Sequence, residues 1–364
     1  MGCASCKERV RIYIKELKAK RKNWHWLKSW RCLRRLLRKW NNEVYIEDIL
    51  NLGNDPNSIE IKSFGNENLE KNLFLIEVHG VMGLGGYMRH TLHALFEAEK
   101  LGFVPVVYYA DSCPCKEFFA NDEFDNPFEY YFQQTSSLSL SDVYRSGRVF
   151  LFKPPHLYRI ERELGNLNPD LPGGYCVDDA YLQKMSGIVK KYLHLNDSVG
   201  KKLDKDREEL FKKVVQMDQV LGIHIRGTDF LLHWKNHPNC VLPEDYFLAI
   251  DDALARGFSY LFLATDDRRY VECFEKRYGS KVLYYQDTYR SDGVCNIAFE
   301  ESRQAGDSYR KGLEVLRDMY TLAHVGGLIA GLSQVSIIAR ILCLSVGREY
   351  RYIKVLDNGL YRGH

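Results

Sequence analysis

Between residues 220 and 346, short apolar β-branched runs alternate with helical patterns, and this alternation limits the possible folds more than any other feature of the chain. Val220–Ile225, Ser259–Ala264, Lys281–Tyr285 and Gly327–Ala330 read as strands. Helical spacing follows Pro243, Asp267 and Ser333 and covers Glu314–Ala323. Strands this apolar have no face to give to water, and strand–helix–strand order demands parallel pairing with right-handed crossovers. The expected class is α/β with a doubly wound sheet. A second unit of the same kind is expected earlier: strand Leu73–Val78, a glycine loop, helix Tyr87–Leu101 and strand Phe103–Tyr109. A chain of 364 residues is too long for one simple core, which points to two Rossmann-like domains. The reading divides it into an arm at 1–45, a linker at 46–70, domains at 71–205 and 206–350, and a tail at 351–364.

The ends of these strands carry the chemistry. Val220–Ile225 runs into Arg226-Gly227-Thr228-Asp229, with His224 and Arg226 two apart and therefore on one side. In open α/β sheets ligands sit beyond the carboxyl ends of strands. Arg226 there offers a planar cationic fork for phosphate oxygens; the alternative is internal pairing with Asp229. Gly83-Leu84-Gly85 opens a helix, where backbone amides can approach an anion. A dinucleotide fingerprint starting at Gly83 fails, because it requires glycine at Met88. Asp266 and Asp267 follow a strand, Asp318 lies on a helix, and Ser333-Gln334 begins one. A helix start with Ser is an N-cap as well as an anion site. Asp204-Lys205-Asp206 is a literal Asp-x-Asp, but inside a helix its carboxylates diverge, so no metal is expected.

Taken in order, these landmarks resemble the fucosyltransferase superfamily that contains the α1,6-fucosyltransferases, the rhizobial nodulation fucosyltransferase and the protein O-fucosyltransferases. His224-Ile-Arg226-Gly-Thr228-Asp229 matches its His-x-Arg-x-Thr-Asp motif. Gly227 stands where the α1,6 group usually has a second arginine. Ala264-Thr265-Asp266-Asp267, and Asp318 followed by Ser333-Gln334, match two further motifs. The resemblance implies a GT-B-like architecture with the donor site in the C-terminal domain and the acceptor side in the N-terminal one. It implies inverting transfer of fucose from GDP-fucose to a glycan hydroxyl without metal or other cofactor. Arg226 would take the charge of the departing diphosphate, and Asp229 would orient it. His224 and Asp318 would hold guanine. Gly83, Gly85, Asp266, Asp267, Ser333 and Gln334 would line the donor site. The α1,6 enzymes have a Glu base in the loop after the motif; here His233 occupies that place, and a histidine can accept a hydroxyl proton near neutral pH. Another GDP-sugar, or a catalytically inactive nucleotide-sugar or glycan-binding module, is the alternative.

Charge is unevenly spread. Residues 1–40 carry a net +12, leaving −9 on the rest. Trp26, Trp30, Leu33, Leu37 and Trp40 fall at helical spacing between the arginines. Such an arm suits an anionic membrane surface. A basic helix docked on the acidic body is the second reading, and nucleic acid the least favoured. No run reaches the roughly 18 apolar residues of a membrane span, and residues 1–40 lack the apolar core of a signal peptide. Position six is Cys6, which departs from a myristoylation signal. Ten scattered cysteines without zinc-ligand spacing fit a reducing compartment. The expected place is cytoplasmic, peripheral at the inner membrane face, serving surface-glycan synthesis with a lipid-linked acceptor.

Overall fold

A computed structural model describes residues 60–80, 82–117, 125–152, 175, 177–232, 237–292, 297–299 and 304–361. The chain divides into compact units at 1–54 and 55–364, and every described residue belongs to the second. The basic arm and His233 lie outside the described residues.

The first sheet contains β1 (Glu60–Lys62), β2 (Leu73–Val78), β3 (Val104–Tyr109) and β4 (Val149–Leu151), ordered β1-β4-β2-β3. Only β1 runs antiparallel to its neighbour. Helix α1 (Leu84–Leu101) joins β2 to β3 and ends at Gly102, whose φ of 67° lets its N–H turn back to the carbonyls of Ala98 and Glu99. A short helix, α2 (Leu140–Val143), precedes β4, and α3 (Asp179–Tyr192) and α4 (Asp197–Leu210) lead to the second half. The position 205/206 read as a domain boundary lies inside α4.

The second half alternates as expected: β5 (Val220–Ile225), α5 (Pro243–Ala255), β6 (Tyr260–Thr265), α6 (Arg268–Tyr278), β7 (Val282–Leu283), α7 (Asp307–Ala323), β8 (Gly327–Gly331) and α8 (Gln334–Ser345). The residues read as a tail supply a ninth strand, β9 (Tyr352–Leu356), paired parallel with β8. The five strands are all parallel, in the order β7-β6-β5-β8-β9. All six residues of β5 are buried, as a central strand between two helical layers requires.

The two sheets do not have separate cores. Leu316 and Met319 of α7 and Ile337, Ile338 and Ile341 of α8 join one apolar cluster with Tyr87, Met88 and Leu92 of α1 and Leu182 and Met185 of α3. The other faces of β5 and β6 pack on α5 and α6 through Ile223, Ile225, Leu263, Ile250 and Phe274. The expected two Rossmann-like domains appear as one mostly parallel and one all-parallel sheet within one compact unit.

Candidate active site

The strand order fixes where a ligand can reach the second sheet. From β5 the chain winds outward through β6 to β7, then returns to the other side of β5 as β8. The order reverses between β5 and β8, so their connections leave in opposite directions and open a crevice at the carboxyl ends. Arg226 follows β5 and Ser333 follows β8 at this crevice. His224 of β5 spans it, its Nδ1 3.3 Å from Ser333 Oγ. Burial lowers the pKa of His224 to about 4, with Asp266 opposing and Arg226 adding to the effect, so the ring is neutral at pH 7. Ser333 also caps α8, accepting from Ser336 N at 3.0 Å.

Arg226 is held from two sides. Its Nη2 donates to Asp229 Oδ1 at 2.7 Å, and its Nη1 lies 2.7 Å from Asp266 Oδ2. Asp266 reaches it from the end of β6, because Ile225 is level with Thr265 in the sheet. The same carboxylate accepts from Gly227 N at 2.9 Å and Thr228 Oγ1 at 2.7 Å. These bonds hold Thr228 at φ 45°, a left-handed conformation uncommon for a β-branched residue. Burial alone would lower the Arg226 pKa, but Asp266 and Asp229 outweigh it and leave the pKa above the ordinary value. The internal pairing weighed from sequence is therefore real, and Asp266 joins Asp229 in it. The hydrogen bond to Asp229 uses one of the five N–H donors of the fork, and Asp266 adds an ion pair. Gly227 leaves no room for the second arginine of the resembling motif: a Cβ there would sit 2.8 Å from Asp267 Cβ and 2.9 Å from Tyr270 Cε2.

With two carboxylates on Arg226, net positive potential at the crevice must come from elsewhere. Helices α1 and α8 both start there without an acidic residue in the first turn. Gly85 lets them meet, since a Cβ at this position would lie 3.3 Å from Gln334 and Val335. Gly83 is the N-cap of α1 and makes no side-chain cap bond. Arg89 of α1 is buried and donates from Nη1 to Gln334 Oε1 at 3.1 Å and from Nε to Tyr181 OH at 3.0 Å. The N-terminal half thus brings a cation to the start of α8.

Asp318 sits on the same side of the sheet as His224. A Cβ on Gly222 would lie 2.9 Å from Leu322, so α7 crosses β5 at that level. Asp318 is one turn back along a helix antiparallel to the strand, roughly 5 Å toward the carboxyl edge. His224, two residues along β5 from Gly222, is roughly 7 Å in the same direction. Burial raises the Asp318 carboxyl to about 7, partly offset by Arg290 and Arg317.

Asp267 is turned away from the crevice. It caps α6, accepting from Arg269 N at 3.0 Å, and forms an ion pair with the Arg269 side chain. Asp204 and Asp206 face different cations: Asp204 pairs with Arg207 at 2.7 Å, and Asp206 with Lys202 at 2.8 Å and Arg317 at 2.9 Å.

The chain is similar in structure to solved fucosyltransferases. NodZ alpha-1,6-fucosyltransferase soaked with GDP-fucose superposes with TM-score 0.47 and 16% identity, over 75% of this chain and 92% of that one. Selenomethionine NodZ from Bradyrhizobium gives 0.48 and 16%, over 81% and 97%. POFUT1 in complex with GDP gives 0.42 and 13%, over 78% and 98%. No family model and no curated protein matches the chain.

Sequence reading missed two residues at the crevice. Arg89 had a signal, because it falls three residues before Leu92 on the apolar face of α1, where an arginine needs a reason. Tyr175 had none. It hydrogen-bonds Gln334, its phenol pKa is raised by burial, and Arg89, Arg226 and Asp229 all act on it.

Proposed function

We propose that the chain transfers fucose from GDP-fucose to a glycan hydroxyl, with inversion and without a metal ion, on a GT-B-like scaffold. The observation that carries this reading is the convergence of Arg226, the His224–Ser333 contact and the starts of α1 and α8 at the switch point. Two uncompensated helix starts with Arg89 and Arg226 suit a diphosphate, which has two charged groups to place. Arg226 stabilises charge on the departing diphosphate, as a metal does in other transferases. Asp229 and Asp266 are positioning residues that aim its fork. Ser333, Gln334, Gly83 and Gly85 line the diphosphate path. Neutral His224 and the Asp318 carboxylate hold the guanine. His233 is the proposed base for the acceptor hydroxyl.

Calorimetric titration with GDP, GDP-fucose, GDP-mannose and UDP-glucose in EDTA tests this. GDP-fucose and GDP should bind, UDP-glucose should not, and turnover should survive chelation. Activity lost in EDTA and restored by Mn²⁺ overturns the metal-free reading. Tighter binding of GDP-mannose than of GDP-fucose moves the assignment to another GDP-sugar.

The acceptor follows from the arm. We infer that residues 1–40 hold the catalytic body on an anionic cytoplasmic membrane face, where surface-glycan intermediates are lipid-linked. Each Lys or Arg near such a surface contributes about 1 kcal/mol, which salt weakens. Among the described residues no helix is long and apolar enough to cross a membrane. Deleting residues 1–40 should abolish co-sedimentation with anionic vesicles and leave GDP affinity unchanged. Equal sedimentation of the truncated chain removes the arm from the membrane.

A further inference from the structure

Arg290 is buried where a guanidinium should be fully bonded, and it is not. It is 6% exposed. Its Nη1 donates to the carbonyls of Tyr285 at 3.0 Å and Thr288 at 3.1 Å. Its Nε and Nη2 have no hydrogen-bond partner among the described residues. These two atoms form one edge of the guanidinium, with their N–H bonds pointing the same way. Leaving them dry costs free energy unless something else accepts from them.

The loop places this edge near Asp318. Tyr289 N donates to Glu314 Oε2 at 3.1 Å, and Thr288 Oγ1 accepts from Arg317 Nη2 at 2.9 Å. Residues 288–289 are therefore tied to α7 at Glu314 and Arg317, in the turn that leads into Asp318. Arg290 and Asp318 act on each other electrostatically, yet no ion pair joins them among the described residues. A buried acid and a buried base that stop short of contact suggest a third group between them.

The structure assigns Arg290 as the second half of the base-recognition site, with its Nε/Nη2 edge donating to O6 and N7 of the guanine whose N1–H and N2–H₂ donate to Asp318. Guanine presents these four groups in sequence around its rim, two donors then two acceptors. A carboxylate followed by a guanidinium edge is the complementary sequence. Arginine on O6 and N7 is the commonest bidentate contact to guanine in nucleic-acid recognition. Adenine places an amino donor where guanine has O6, so it would oppose the Arg290 edge. This assignment rests on the GDP-sugar reading above and names the residue that makes the site select guanine.

The test uses the full chain and four nucleotides: GDP, IDP, ADP and 7-deaza-GDP, which lacks only the N7 acceptor. Wild-type protein should bind GDP about tenfold or more tighter than 7-deaza-GDP or IDP, and ADP more weakly still. In Arg290→Lys and Arg290→Gln, GDP should weaken by about ten- to hundredfold, ADP should be unchanged, and GDP and 7-deaza-GDP should become equal. A purely structural arginine would weaken all four nucleotides together. Equal wild-type affinity for GDP and 7-deaza-GDP overturns the assignment while leaving the donor reading intact, and this arm needs no folded variant. A wild-type chain that binds no guanine nucleotide overturns both.

Discussion

The carboxyl edge of the second sheet holds two charged sites built on opposite principles. Around Arg226 the polar groups answer one another: Asp266 pairs with the guanidinium and accepts from a backbone amide and a hydroxyl, and Asp229 accepts from the other arm of the fork. Around Arg290 and Asp318 the groups are more deeply buried, part of the guanidinium has no hydrogen-bond partner among the described residues, and the carboxyl pKa is raised to about 7. The first site is preorganised, so a ligand meets a fork already aimed. The second is costly until a ligand completes it. On the proposed reading, one sheet edge would separate the task of holding a reacting group still from the task of refusing the wrong base.

Five substitutions test this contrast, beginning with the largest expected effect. Arg226→Lys keeps a cation between the two carboxylates but loses the fork, so the chain should fold and GDP-fucose turnover should drop roughly a hundredfold or more. A near-normal rate would make Arg226 structural only. Next, Asp266→Asn places an amide donor among three donors and should cost about 2–3 kcal/mol in chemical denaturation. Asp229→Asn, whose single accepting oxygen can still serve Arg226 and Thr228, should cost under about 1 kcal/mol. Equal costs would mean that Asp266 does not dominate the turn.

The same substitution at Asp318 should act with the opposite sign. The folded carboxyl pKa is near 7, against about 3.9 unfolded. The fold therefore binds this proton more tightly than the unfolded chain. The stability it contributes is full below about pH 4 and is lost as pH rises to 7. Asp318→Asn escapes that loss, so above pH 7 it should be more stable than wild type by about 1–2 kcal/mol, after the cost of its own buried amide. The gap should close toward pH 4 in melting curves, while GDP affinity falls at every pH. A variant less stable at pH 8 would show that Asp318 is already satisfied. Ser333→Ala loses the α8 cap and the His224 contact and should cost about 1 kcal/mol. A much larger loss would give the His224 contact more weight than the cap.

The preorganised site was largely legible in the sequence. The β5 run, the Thr265-Asp266-Asp267 end of β6 and the Ser333 start of α8 each carry a local signature. That Asp266 holds Arg226 while Asp267 turns to its own helix was not legible, since it depends on which strand lies beside β5 and in what register. The unpaired site was half legible: Asp318 stands in a recognisable order, but Arg290 lies in a loop without periodicity or motif. β9 was missed because Ile353, Lys354 and Val355 are exposed on an edge strand, which gives no buried run to read.

The apolar cluster shared by α1, α3, α7 and α8 bears on how the molecule comes apart. Neither half can lose these four helices without stripping the other, so heating should give residues 55–364 one calorimetric endotherm instead of two. A fragment ending after α4 would lose the α7 and α8 side of the cluster that buries Met88 and Met185, and should aggregate when made alone. Loosening α8 anywhere along its length should be felt at its first turn. Amide exchange at Gly85 and Gln334, on opposite halves, should therefore slow and quicken together.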